Sequence, residues 1–347
     1  MPESEPNTAP TALVWCRPEQ TGLVRDIADR AGLTIETAGS PEPTRAGHVA
    51  TELGAEPADD LRAALAATGA RVALLADPGA FSEGANDEDA GAVAAARSRG
   101  TTLITLEPIP PAAADLPGSP WVEQQPGGRP IDAVRLGTLP RRTRAWIAAS
   151  DLLDAFGTVR SMSVEVMMPT HAGTLGAALV GALDLVSAVL GDAESVDAAL
   201  MSDTRARDAA PESVRGFTGS VSALVRGADG RCASLHASDQ SGAFAFGTTL
   251  VGEAGTLRIT HAGFSWTDAR GALVDDHADL GGTPGSPADA AARVIAERIV
   301  RLTDPSEPEP APDGLPETLA FAHAALLSAR TGQPESPATI RRLVSAR

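Results

Sequence analysis

The stretch Thr102–Pro110, TLITLEPIP, closes a short apolar run on Glu107 and Pro108. A carboxylate behind a buried strand can accept a proton when burial raises it toward neutrality, which makes Glu107 a candidate general base. His171, in MMPTHAGT, is the second candidate for moving a proton. Near the start, CRPEQTG (Cys16–Gly22) joins an apolar run to a helical pattern. It carries one glycine, and Pro18 removes a donor. Other groups are missing altogether: the chain has no lysine, its 28 basic residues all being arginine, and no tyrosine. Arginine stays protonated near neutrality, so a lysine Schiff base, a P-loop lysine and a tyrosine–lysine proton relay are excluded.

The remaining polar candidates read as structural. His236 and His261 fall on strand patterns and are expected on a sheet face. DDHAD (Asp275–Asp279) reads as a solvated acidic turn, and His48 and His323 have no ligand-spaced neighbours, so no metal site is expected. Cys16 lies at a strand end before a helix, where a thiol pKa can fall, but a buried, inert thiol is the expectation. With only Cys16 and Cys232 there is no disulfide framework, which suits a reducing cytoplasm.

The elements that must position these groups follow from periodicity. TALVW, LTIETA, RVALLA and TLITL are strand patterns that alternate with the helical patterns Thr21–Gly32, Pro57–Gly69 and Asp89–Gly100. That alternation implies a parallel sheet whose ligand site lies at the C-terminal ends of its strands. Helical patterns over Arg142–Gly157 and Thr174–Gly191 follow, the second apolar almost all round. Then come strand patterns separated by turns such as ADG and GEAG, an antiparallel sheet, and a closing helix over Glu317–Gly332. A Pro- and acid-rich loop, Thr303–Glu317, precedes that helix. The expected organisation is a flexible tail over 1–10, a Rossmann-like parallel-sheet domain over 11–120, and a C-terminal domain over 121–347 built on a large, mainly antiparallel open sheet.

Hydrophobic residues make up 43% of the chain and charged residues 21%, as in a globular protein long enough for two cores. The net charge of −17 disfavours nucleic acid and anionic membranes as partners. No apolar run approaches the roughly 20 residues that span a bilayer, and MPESEPNTAP lacks the features of a signal peptide.

Five segments in order resemble the glucose–fructose oxidoreductase, inositol dehydrogenase and related family (Gfo/Idh/MocA): ARVALLADPGAF, AAARSRGTTLITLEPIP, GALDLVSAVLGDAESV, LVGEAGTLRI and TLAFAHAALLSARTGQP. The resemblance implies an NAD(P) cofactor, a small sugar-like ligand, and a homo-oligomer formed through the C-terminal sheet. It also implies a lysine, an aspartate and a histidine that handle the hydroxyl proton. Those positions fall on Glu107, Ala177 and Gly181, and only a further aspartate of the pattern, at Asp184, is kept, in a structural role. The cofactor positions implied are Arg17, Gly22, Ser40, Arg45, Asp77, Pro78 and Pro108, with Ser40 beside an arginine as the feature that would accept NADP. The reading that follows is a non-dehydrogenase binding or assembly protein. Its alternative is an active NAD(P)-dependent oxidoreductase on a sugar or polyol that uses Glu107 or His171 in altered roles.

Overall fold

The computed structural model describes residues 9–83, 87–115, 122–124, 130–201, 213–278, 287–304, 306 and 314–345. Residues 1–8 of the expected tail and most of the acid-rich loop before Leu315 lie outside the described residues. The chain opens with β1 (Thr11–Trp15), α1 (Thr21–Ala31), β2 (Thr34–Gly39), α2 (Ala46–Leu53), β3 (Glu56–Ala58), α3 (Leu61–Ala67), β4 (Val72–Leu75), α4 (Asp87–Ser98) and β5 (Thr102–Thr105). A hairpin of β6 (Val122–Gln124) and β7 (Pro130–Asp132) leads to β8 (Arg135–Leu136). Six of these strands form one parallel sheet in the order β3-β2-β1-β4-β5-β8.

Local chemistry sets the ends of these elements. Leu23, Val24, Ile27 and Ala28 form the buried stripe of α1, which stops where Gly32 turns left-handed at φ 65°. The helix expected from Pro57 begins instead at Leu61, where the Asp60 carboxylate caps it by accepting the Ala63 N–H at 2.7 Å. Pro57 lies in β3, at the edge of the sheet, where a missing N–H is tolerated. The short helix α2, which follows directly on the Pro43–Arg45 turn, was not among the expected helices.

The second half runs α5 (Arg144–Ser150), α6 (Leu153–Phe156), β9 (Val159–Met167), α7 (Leu175–Leu190), β10 (Ala193–Met201), β11 (Ser220–Gly227), β12 (Cys232–Ser238), β13 (Ala245–Gly252), β14 (Gly255–Thr260), β15 (Gly263–Thr267) and β16 (Leu273–Ala278). α8 (Pro287–Thr303), α9 (Leu315–Thr331) and α10 (Pro337–Ser345) close the chain. The sheet order is β10-β11-β12-β9-β13-β14-β15-β16, antiparallel except for the parallel pair β9 and β12. α7 is buried nearly all round because it lies between this sheet and α9, which accounts for its unbroken apolar sequence. Thr143 caps α5, so the helix expected over Arg142–Gly157 starts later and breaks between Ser150 and Leu153. His261 sits in the β14–β15 turn rather than on a strand. Asp275–Ala278 are not a turn but part of the edge strand β16, where His277 stacks on Phe264 at 5.9 Å; Asp279 lies outside the described residues.

The two sheets are tied through α8, which packs along α1 of the first domain. On its other side, Arg293 of α8 donates to the His261 carbonyl at 3.0 Å. Inside the second domain, Asp184 of α7 receives a bidentate guanidinium from Arg141, both bonds 2.8 Å. Asp184 is 4% exposed, so cutting this pair leaves a buried charge. Asp184→Ala is expected to cost about 3–5 kcal/mol in urea unfolding, and a loss under about 1 kcal/mol would show that the pair holds nothing.

Candidate functional site

The C-terminal ends of the parallel strands face the start of α7, and the sequence candidates gather there unevenly. Glu107 follows β5 and is 4% exposed. Thr105 fixes its backbone: the Thr105 hydroxyl oxygen accepts the Glu107 N–H at 3.0 Å. Its carboxylate Oε2 accepts a short hydrogen bond from the Thr174 hydroxyl. Thr174 is the N-cap of α7, and its Oγ1 also accepts the Ala177 N–H at 3.4 Å. Burial pushes the Glu107 carboxyl up to about 7, against the pull of the Thr174 bond and the Arg215 charge.

The positions implied for the other proton-handling groups are closed. Ala177 lies in the first turn of α7. At Gly181 an added Cβ would meet Pro140 Cδ at 3.0 Å, so the helix passes too close to Pro140 for a histidine there to reach the cleft without moving its neighbours. His171 comes to the cleft by its backbone, whose carbonyl accepts the Gln20 amide at 3.2 Å.

Gln20 was not singled out in the sequence, yet it organises the turn after β1. It is 1% exposed. Its side-chain oxygen accepts the Arg17 N–H at 3.0 Å, and its amide donates to the Ala76 carbonyl at 3.3 Å as well as to His171. One side chain thereby joins the turns after β1 and β4 to the second domain. Arg17 forms an ion pair with Asp77 (Nε–Oδ2 2.8 Å) without hydrogen-bond alignment, and Asp77 Oδ1 accepts the Gly79 N–H at 2.8 Å. Gly22 stands in open space, where an added Cβ would meet nothing within 4 Å, so no close backbone approach requires it.

The loops after β2 and β4 touch. A Cβ added to Gly79 would lie 2.7 Å from Pro41 Cβ. Those two strands flank β1 and are separated by roughly 9.6 Å, two strand spacings. Contact between their loops therefore covers the end of β1. Ser40 is buried, and its hydroxyl oxygen accepts the Glu42 N–H at 3.2 Å. Arg45 pairs loosely with Glu42 at 4.0 Å. The Cys16 thiol is buried and pushed up to about 12, chiefly by burial, which keeps it protonated and inert.

A second residue the sequence did not signal is Arg215, on the segment before β11. Its guanidinium donates to the Pro108 carbonyl from Nε (3.0 Å) and Nη2 (2.8 Å), and from Nη1 to the carbonyls of Phe81 (2.7 Å) and Gly79 (3.2 Å). Nη2 also donates to Ser82 Oγ at 3.0 Å. Pro108, beside Glu107, thus serves as an acceptor for a side chain of the second domain.

No family model matches the sequence, and no curated protein sequence matches it. Solved structures do match. Levoglucosan dehydrogenase in complex with NADH and levoglucosan superposes with a TM-score of 0.64 at 13% identity, over 94% of this chain and 98% of that one. An oxidoreductase from Agrobacterium radiobacter in complex with NAD+, L-tartaric acid and magnesium gives 0.64 at 15%, over 96% and 100%. The apo scyllo-inositol dehydrogenase from Lactobacillus casei gives 0.63 at 16%, over 95% and 98%.

The raised Glu107 carboxyl sets a pH dependence. With a folded value about 7 and an ordinary value of 4.5, the folded chain holds this proton after the unfolded chain has released it. The stability contributed by the protonated group is full below about 4.5 and is lost as pH rises through about 7. Glu107→Gln is therefore expected to match the parent near pH 4.5 and to exceed it by on the order of 3 kcal/mol at pH 8 in urea unfolding. A difference independent of pH would refute the assignment.

Over nearly its whole length, then, the chain has the two-domain fold of the Gfo/Idh/MocA-type sugar and polyol dehydrogenases.

Proposed function

We propose that this chain is a dehydrogenase-fold protein that does not turn over a dinucleotide and acts instead in binding or assembly. The observation that carries this reading is the covered end of β1. A pyrophosphate needs free backbone N–H groups at the start of α1 and an open approach to them. Here Gln20 takes the Arg17 N–H, Pro18 offers none, and Pro41 meets Gly79 across the strand. In this reading the residues of the turn do not fit the pyrophosphate of NAD(P). The proton-handling positions support the same conclusion, since Glu107, Ala177 and Gly181 supply no cation and no imidazole. The open face of the second sheet, with Ser163, Glu165, Ser222, Leu224 and His236, is the surface we assign to assembly with further copies. The two free cysteines agree with a reducing compartment such as the cytoplasm. Among the described residues no helix is long and apolar enough to cross a membrane.

One observation favours the second reading, an active oxidoreductase on a sugar or polyol. Glu107 is a buried carboxyl near neutrality with a hydroxyl partner, which is what a general base requires. The solved complexes of the similar levoglucosan dehydrogenase with levoglucosan and with L-sorbose make a sugar the ligand class for that case.

Titration with NADH and NADPH, read by nucleotide fluorescence, separates the two. Our reading expects no saturable binding into the millimolar range. Micromolar binding of either nucleotide, with reduction of NAD+ or NADP+ by a sugar that Glu107→Ala abolishes, would establish the second reading instead.

A further inference from the structure

On the outer face of the second sheet, Ser163, Glu165, Asp197 and Ser234 are exposed, while Val164, Val196 and Leu235 beside them on the same strands are buried on the other face. The strand pairings set the exposed residues in level rows. One row reads Asp197, Leu224, Ser234, Ser163, Thr249 and Arg258, from β10 across to β14. The next row has His236 and Glu165 at its centre, side by side on β12 and β9, between Ser222 and Gly247. The first row is therefore acid at one end and base at the other, and the second sets an imidazole beside a carboxylate.

These charges have no use inside the chain. Near the ends of the same strands, Arg160 pairs with Glu253 and Arg231 with Asp229. On the face, the side chains of Glu165, Asp197 and Arg258 make no ion pair or hydrogen bond among the described residues. His236 shares a hydrogen bond with Ser222 through Nδ1 at 3.0 Å, which leaves Nε2 for a group outside the chain. Three large apolar side chains, Met201, Leu224 and Val251, are exposed among them. The six strands from β10 to β14, about 4.8 Å apart and about seven residues long, make a face of about 650 Å² per copy, or about 1,300 Å² for a pair, inside the range of specific interfaces.

We propose that this face pairs with the same face of a second copy about a two-fold axis running along the seam between β12 and β9. The proposal rests on the assembly reading above and gives it a geometry. Rotation about that axis exchanges β12 with β9, β11 with β13 and β10 with β14, and keeps each row at its own level. Asp197 of each copy then lies over Arg258 of the other, and the His236 imidazole over the Glu165 carboxylate. Other axes bring like charges together, which an interface avoids. An axis along β9 sets Glu165 over itself, and one across the strands at the first row sets Asp197 and Arg258 each over themselves. A twisted sheet turned about one of its own strand directions keeps its twist, so the two faces stay evenly spaced.

Charge reversal tests the arrangement, read as the dimer dissociation constant of the full chain by sedimentation at low salt. The parent is expected to be a dimer. Asp197→Arg alone sets arginine over arginine at both ends, and Arg258→Asp alone sets carboxylate over carboxylate. Each is expected to weaken the dimer on the order of 100-fold. Both side chains are exposed, so the circular dichroism and thermal melting of each variant should match those of the parent. Mixed in equal amounts, the two variants are expected to form a heterodimer, because each unlike pair is restored across the axis, and both changes in one chain are expected to restore the homodimer. A parent dimer that neither reversal weakens, or weakened variants that stay apart when mixed, would overturn this axis and leave assembly standing. A parent that stays monomeric at millimolar concentration would overturn the axis together with the assembly reading.

Discussion

A guanidinium surrounded by main-chain oxygens ties together three parts of this molecule that are far apart in sequence. Arg215 comes from the run into β11, its acceptors follow β4 and β5, and the segment that carries it rests on the first turn of α7. A positive group placed there requires that the strand ends offer acceptors. It also requires carboxylates close enough to offset the cost of taking the charge out of water. Glu107, Asp77 and Glu83 meet that requirement, and the residue after β5 is then an acid for a reason separate from proton transfer. The family resemblance implies a lysine at that position, where this chain carries an acid.

The same inversion runs along the turn after β1. Where an anion would need unpaired N–H groups, the Gln20 side chain consumes one of them and spends its own donors on the Ala76 and His171 carbonyls. Arg17, on the same turn, is held by Asp77. Through Gln20, the strand ends of the first domain are bonded to the second.

Much of the framework was legible because its causes are local. The two-residue period of the β9 and β11–β14 segments and the all-round apolar sequence of α7 depend on near neighbours and on one burial surface each. Errors arose where a distant partner overrides a local preference. Pro57 is a good helix start taken by an edge strand, and DDHA became the edge strand β16 because β15 offers a free edge beside it. The site was legible only in part. Thr174 three residues before Ala177 is a readable cap, and Glu107 announced itself by standing in for lysine. Arg215 gave no signal, since the groups it binds lie 107 to 136 residues earlier in the chain. Gln20 looked like one more polar residue in a turn until its amide was seen to reach another domain.

The return of α8 to α1 has a topological effect on how the halves relate. The polypeptide begins on one sheet, completes the other, and comes back to cover the first before ending on β10 with α9 and α10. Neither half is a continuous piece of chain. A fragment ending near residue 120 would lack the outer strand β8 and expose the α1 surface that α8 protects, leaving apolar ground without cover. The two lobes are therefore woven from a single thread, and neither can be snipped away, shuffled to another protein or lost in descent without unravelling the one left behind.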